Sequence, residues 1–267
     1  MSKLICVVGA TGNQGGSLVA DAPGIEVVAA DLDDVATLES AFKGAHVIFS
    51  VTNYWEPFMR PDYRAKASEQ GITCRRIAYD VEYRQGKNIA DAAATTADTL
   101  EVFLVSTLSH AGKATGGKIT ELYHFDAKAD IFPLYLEENY NILPESYFKK
   151  NADGSFKMRF TTNAPGKAYM AAGTFCSWRE WIETWGKIVG VDASYEQVSQ
   201  EELIASAFDR DLGIEVTHMF DYTSEPGYDG GYDLLTAKDL VENGIECPMT
   251  SWEDWAKKND WTTVLSK

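Results

Sequence analysis

Metal-ligand spacing and a disulfide framework are both missing from this chain. Its four cysteines, Cys6, Cys74, Cys176 and Cys247, lie far apart and form no CxxC pair, and its four histidines are scattered with no HExxH. No metal site is assigned, and a reducing cytoplasmic or nuclear setting is expected. Cations are scarce as well: 24 Lys and Arg stand against 40 Asp and Glu, a formal net charge of -16. Nucleic acids and anionic membrane surfaces are gripped by clustered Lys and Arg, so direct binding to either is not expected. No apolar run is long enough to span a bilayer. One Lys precedes a strand-like LICVV with no cleavage pattern, so no signal peptide is expected. Repeats and linker-length low-complexity tracts are also lacking.

What is present suits a globular chain that buries a sizeable core. It has 267 residues, 45% apolar and 24% charged. The N-terminal half alternates strand-like with helix-like segments. Leu4 to Val8, Ile25 to Ala30, His46 to Val51 and Val102 to Val105 read as strands. Asp34 caps a helix with apolar Val35, Leu38, Ala41 and Phe42, which Gly44 ends, and Gln85 to Ala94 has an Ala-rich helical look. Such alternation predicts an α/β fold, a Rossmann-type doubly wound parallel sheet with helices on both faces. Beyond about Asn151 the alternation fades and aromatics become dense. Phe175, Trp178, Trp181, Ile182, Trp185 and Ile188 recur as a core stripe, and Ser199/Glu202 and Ser251/Asp254 resemble capping boxes. The division expected is a dinucleotide-binding domain over 1–150 and a smaller, mostly helical C-terminal subdomain over 151–267 that covers the cleft.

The clearest chemical signal is GATGNQGG. Gly9, Gly12 and Gly15 form GxxGxxG between a strand and a helix. The first glycine permits a tight turn, the second lets a pyrophosphate approach the backbone, and the third lets helix and strand pack closely. The helix N-terminus offers free N–H groups to phosphate, and Thr11, Asn13 and Gln14 add side-chain donors. No Gly-Lys-Ser/Thr follows, which disfavours a P-loop NTPase. By spacing alone, Asp31 sits where an acidic ribose reader selects NAD.

Five segments occur together and in order: GATGNQGG, the DLDD after IEVVAA, VTNYWE (Val51 to Glu56), QGKNIADAA (Gln85 to Ala93) and YHFDAKAD (Tyr123 to Asp130). This set resembles the NmrA-like family of atypical short-chain dehydrogenase/reductase relatives, which includes a fungal nitrogen-metabolite regulator and an NADPH-sensing protein. The resemblance runs from Val7 to SWEDWAKKNDW near the C-terminus. It implies NADP(H) over NAD, and it recasts IEVVAADLDD as a third strand whose Asp31 and Leu32 line the adenine side. The second strand, with the arginine that meets a 2'-phosphate, then has no counterpart, because Val19 to Ile25 is too short to hold it. Similar shortening falls near Ile131–Phe132 and Ala164–Gly166. The resemblance also makes Lys87 a second cofactor contact.

Active short-chain dehydrogenases commonly place Tyr-x-x-x-Lys on one helix; the Lys holds the ribose and the Tyr moves the proton. Here Lys128 is preceded at that spacing by His124, on the same helix face, while Tyr123 is rotated away by about 100°. Lys128 is the candidate for the ribose hydroxyls. His124 has three open roles: a pocket lining, a cofactor contact, or an acid–base group. Ser106 and Ser109 could supply a third polar group, or serve only as wall or cap. Thr52 and Asn53 are candidate contacts to the cofactor's ribose or amide, with Trp55 over the nicotinamide or simply packed.

Two function classes follow, beside a third and weaker one, a degraded member that has lost its cofactor, which the missing second strand would explain. One is an NADP(H)-binding sensor or regulator acting through a protein partner. The other is an oxidoreductase or isomerase on a small aromatic or polyketide-like substrate, with Tyr140, Tyr147, Phe148 and Trp178 as candidate pocket lining. The shortened segments are either a natural trimming or pieces that the natural molecule carries beyond this sequence. The expected intact mass of the natural protein is above the 29.5 kDa of this chain; a measured mass equal to it would identify a trimmed member.

Overall fold

The computed structural model describes residues 3–20, 22, 24–131, 148–150, 156–158 and 168–266. The chain divides into two compact units, Met1–Phe160 with Ile204–Gly231, and Thr161–Leu203 with Tyr232–Lys267. Residues 204–231 group with the first unit because Leu212, Met219 and Tyr222 bury their apolar surface in its cores.

The first unit is built on three short parallel strands, β1 (Ile5–Val7), β2 (Val47–Ser50) and β3 (Val102–Val105), in spatial order β1-β2-β3. Its helices are α1 (Asn13–Val19), α2 (Val35–Phe42), α3 (Trp55–Met59), α4 (Pro61–Gln70), α5 (Cys74–Ala94) and α6 (Ala111–Ala114). A further helix, α7, is described over 123–131. A two-stranded antiparallel pair, β4 (Phe148–Lys150) and β5 (Phe156–Met158), lies later in the chain. After the second unit's α8 (Trp178–Val189) comes α9 (Gln200–Ser206), and α10 (Arg210–Tyr222) returns to the first unit.

Register decides which strand residues meet the helices. Cys6, Ile48 and Phe103 align across the sheet and point to one face. There they join Leu38 and Phe42 of α2 and Ile89, Ala90 and Ala93 of α5 in a buried cluster. The opposite row contains Ile5, Val102 and Leu104, which are 60%, 43% and 51% exposed.

Ile25 to Ala30, expected as a strand, forms none. It runs as exposed chain with Val27 78% exposed. A strand needs a neighbouring ladder, and the few residues after α1 leave no intervening strand to supply one.

Helix α5 is far longer than its Ala-rich end suggested. Thr73 caps it by accepting the Arg76 N–H at 3.1 Å, and Ile77, Ala78, Val81, Gln85 and Ile89 form its buried stripe. Gly86 sits inside this helix for a packing reason. A Cβ there would lie 2.5 Å from Ile131 of α7.

In the second unit, α8 opens with a full capping box between Ser177 and Glu180. The expected tryptophan stripe packs on α12 (Trp252–Lys258), with Trp181 stacked on Trp252 at 4.4 Å. Phe175 precedes the helix and is 69% exposed, so it does not belong to that stripe. Among the described residues no helix is long and apolar enough to cross a membrane.

Gly86→Ala is expected to cost about 1–3 kcal/mol by overpacking the α5–α7 contact, read as a lowered urea midpoint with unchanged slope.

Candidate functional site

The glycine turn has the geometry its sequence requires. Gly9 adopts φ +68°, a left-handed conformation that favours glycine. Gly12 N–H donates to the Gly9 carbonyl at 2.8 Å. Gly15 is buried against the same carbonyl, and a Cβ there would lie 2.3 Å from its oxygen. Thr11, Gly12, Asn13 and Gln14 are exposed beside it. The first bond into α1 is Gly16 N–H to Gly12 O at 2.7 Å, so the N–H groups of Asn13 to Gly15 precede any intrahelical acceptor. Close backbone approach and exposed N–H donors give the turn a geometry suited to a polyanion.

The turn adjoins a second feature. A Cβ on Gly9 would stand 3.2 Å from Val51, and the next residue, Thr52, leads into a buried charge cluster. Lys128 Nζ donates to the Thr52 carbonyl at 2.5 Å, to Glu82 Oε1 at 2.6 Å and to Thr52 Oγ1 at 3.1 Å. Thr52 Oγ1 donates in turn to Glu82 Oε1 at 2.7 Å. An ammonium has three donors, and here three acceptors take them. Glu82 is wholly buried, and among the described residues its Oε2 has no hydrogen-bond partner.

One helical turn before Lys128, His124 enters a second buried network. Glu215 Oε1, from α10, lies 2.8 Å from the His124 backbone N and 2.7 Å from its Nδ1. Arg75 of α5 faces the other oxygen, with Nη1 3.5 Å from Glu215 Oε2, and also pairs with Glu121 at 3.0 Å. The His124 ring lies 4.9 Å from Trp55 and 5.8 Å from Tyr54 between ring centroids.

Among the described residues the tyrosines beside His124 are poorly placed to ionise. Burial, reinforced by Glu215, pushes the Tyr54 phenol far above its ordinary range, and its OH donates to the Arg75 carbonyl at 3.2 Å. Burial also raises Tyr123, whose ring sits under the Arg75 guanidinium. Cys74 is equally unsuited as a nucleophile: burial, then its hydrogen bond to Asp211, pushes the thiol up to about 12.

The other sequence candidates are placed more loosely. Asp31 is exposed and its Oδ1 accepts the Asp33 N–H at 2.9 Å, holding the turn before α2. Leu32 packs on the sheet core, and its carbonyl accepts from Asn88 at 2.8 Å. Asn53 Oδ1 accepts the Trp55 N–H at 3.1 Å at the start of α3. Lys87 pairs with Asp91 one turn along α5, at 2.7 Å. Ser106 continues the strand ladder through its N–H to Ser50, while Ser109 Oγ meets the buried Tyr222 hydroxyl at 2.6 Å. Trp178 belongs to the second unit, Phe148 is described only as β4 backbone, and Tyr140 and Tyr147 lie outside the described residues. Glu82 and Glu215 were not foreseen. Glu82 had one available signal, an acidic residue at an apolar position of the α5 stripe; Glu215 had none, because only the fold brings α10 to α7.

The model of the NmrA-like family matches residues 19–139. Three solved structures resemble the chain. An NADPH-dependent quinone oxidoreductase from Escherichia coli, complexed with NADPH, is 16% identical with TM-score 0.59, covering 95% of this chain and 98% of that one. The negative transcriptional regulator NmrA is 13% identical with TM-score 0.58, covering 98% and 100%. A Citrobacter triphenylmethane reductase complexed with NADP(H) is 14% identical with TM-score 0.55, covering 95% and 99%. At these identities the likeness establishes a shared Rossmann-type fold.

Lys128→Met strands the buried Glu82 carboxylate and is expected to cost about 3–5 kcal/mol in urea unfolding; the double variant with Glu82→Met should recover most of that loss.

Proposed function

We propose that this chain, NmrA-like over residues 19–139, binds NADP(H) and acts as a cofactor-responsive regulator through a protein partner. The observation that carries the reading is the junction of the glycine turn with the Thr52–Lys128 cluster at the carboxyl ends of β1 and β2. Carboxyl ends of parallel strands are where this fold class seats ligands. The turn would take the pyrophosphate, and ribose hydroxyls would reach Lys128 by exchanging with its present acceptors on Glu82 and Thr52. Such an exchange gives occupancy a structural consequence, because Glu82 belongs to the long helix α5. Histidine in place of the catalytic tyrosine, with no readily ionised phenol beside it among the described residues, favours sensing over turnover. The net charge of -16 suits a protein partner better than nucleic acid. NADP(H) is preferred to NAD(H) because two of the similar structures hold the phosphorylated cofactor.

A second reading is NADPH-dependent reduction of a small aromatic or polyketide-like compound. It is favoured by the His124 ring lying against Trp55, which could stack a planar acceptor. The dihydronicotinamide would supply hydride, and His124 would move the proton.

Titration of the purified protein with NADPH, NADP, NADH and NAD separates these. Nanomolar-to-micromolar binding of the phosphorylated pair, with no NADPH oxidation across a quinone and aromatic ketone panel, is expected for the regulator. Turnover that His124→Phe abolishes would select the reductase, and absence of any binding would defeat both.

A further inference from the structure

We infer that Glu215 is a positioning residue of a proton-transfer site whose working atom is His124 Nε2, and that the site serves a conjugated carbonyl compound. Its chemistry rests on the reductase reading; its geometry does not. Glu215 Oε1 faces two nitrogens of one residue, the His124 backbone N at 2.8 Å and Nδ1 at 2.7 Å. A backbone N–H only donates and a carboxylate only accepts. With Arg75 beside its second oxygen, Glu215 is the carboxylate, so Nδ1 carries the ring proton and the lone pair of the neutral imidazole lies on Nε2. Among the described residues Nε2 has no hydrogen-bond partner, and the ring centroid lies 4.9 Å from those of Trp55 and Phe125. A buried carboxylate that fixes the tautomer and compensates the imidazolium is the arrangement by which proteins turn a histidine into an acid–base group.

The protonated ring would give its Nε2 proton to the carbonyl oxygen, and a bound reduced nicotinamide dinucleotide would supply a hydride, with its two electrons, to the carbonyl carbon. One C–H and one O–H bond form as the carbonyl π bond, the Nε2–H bond and the donor's C–H bond break, and the dinucleotide is left oxidised. The ring returns to its neutral Nδ1–H form and regains the Nε2 proton from water.

A purely structural Glu215 would cap the first turn of α7 and do no more. The two roles separate in long-range proton–nitrogen spectra of the labelled protein, recorded at about pH 9, above the ordinary titration of imidazole, with His124 assigned through His124→Phe. The wild-type ring is expected as the Nδ1–H tautomer and Glu215→Ala as the Nε2–H form. With NADPH and a naphthoquinone as probe, Glu215→Ala should lower kcat about 100-fold and leave KM for NADPH unchanged. If that variant does not fold, Glu215→Gln keeps an oxygen for both donors; it should retain the tautomer while kcat still falls, because the imidazolium loses its carboxylate. An Nε2–H tautomer in the wild type overturns the positioning role whatever the turnover. The expected tautomer with kcat unaffected by either variant overturns the proton-transfer role. The expected tautomer with no wild-type turnover overturns that role and the reductase reading together.

Discussion

A fully buried carboxylate must be answered by donors, and Glu215 holds three helices in register by that requirement. Its oxygens draw the N-terminus of α7 through His124 and the guanidinium of Arg75 on α5. It joins residues 91 apart in sequence. Leaving such a group unpaired inside a protein costs several kcal/mol, far more than the net gain from an exposed pair. The return of 204–231 to the first unit therefore has an electrostatic anchor as well as the apolar one supplied by Leu212 and Tyr222.

The Glu82–Lys128 pair repeats this logic one turn along α7. Both carboxylates lie in the interior, both are met by the same face of one short helix, and among the described residues each keeps one oxygen without a hydrogen bond. The i, i+4 spacing that in working dehydrogenases aligns tyrosine with lysine is here used to satisfy two buried acids. That dual use couples stability to any ligand at the site, because a ligand drawing on Lys128 must also relieve Glu82.

The sheet carries the mark of the short link after α1. Its three strands bury one row of side chains against α2 and α5, while Ile5, Val102 and Leu104 on the other row remain in contact with solvent. Parallel sheets are ordinarily covered on both faces. The exposure of Val27 and Val28 has the same origin: the segment keeps a strand's composition and lacks the neighbour that would make it one.

Local chemistry made much of this legible in advance. Apolar runs bounded by turns marked β1, β2 and β3, Asp34 and Ser251 announced their helices, and GxxGxxG specified a turn that the Gly9 φ and the Gly15 approach explain. The Val102–Val105 strand matches residue for residue, because a short apolar run between polar stretches has few alternatives. The start of α5 was obscured by its charged residues, and Ile25 to Ala30 misled because strand propensity is only realised in a ladder. The sequence by itself determined the parallel α/β class, the glycine turn and the i, i+4 placement of His124 and Lys128, since each depends on neighbours along the chain. Only the tertiary structure decided that Glu82 and Thr52 together saturate Lys128 and that Glu215 meets His124. Those pairings join distant helices, and nothing in local sequence spacing encodes which buried acid will meet which donor.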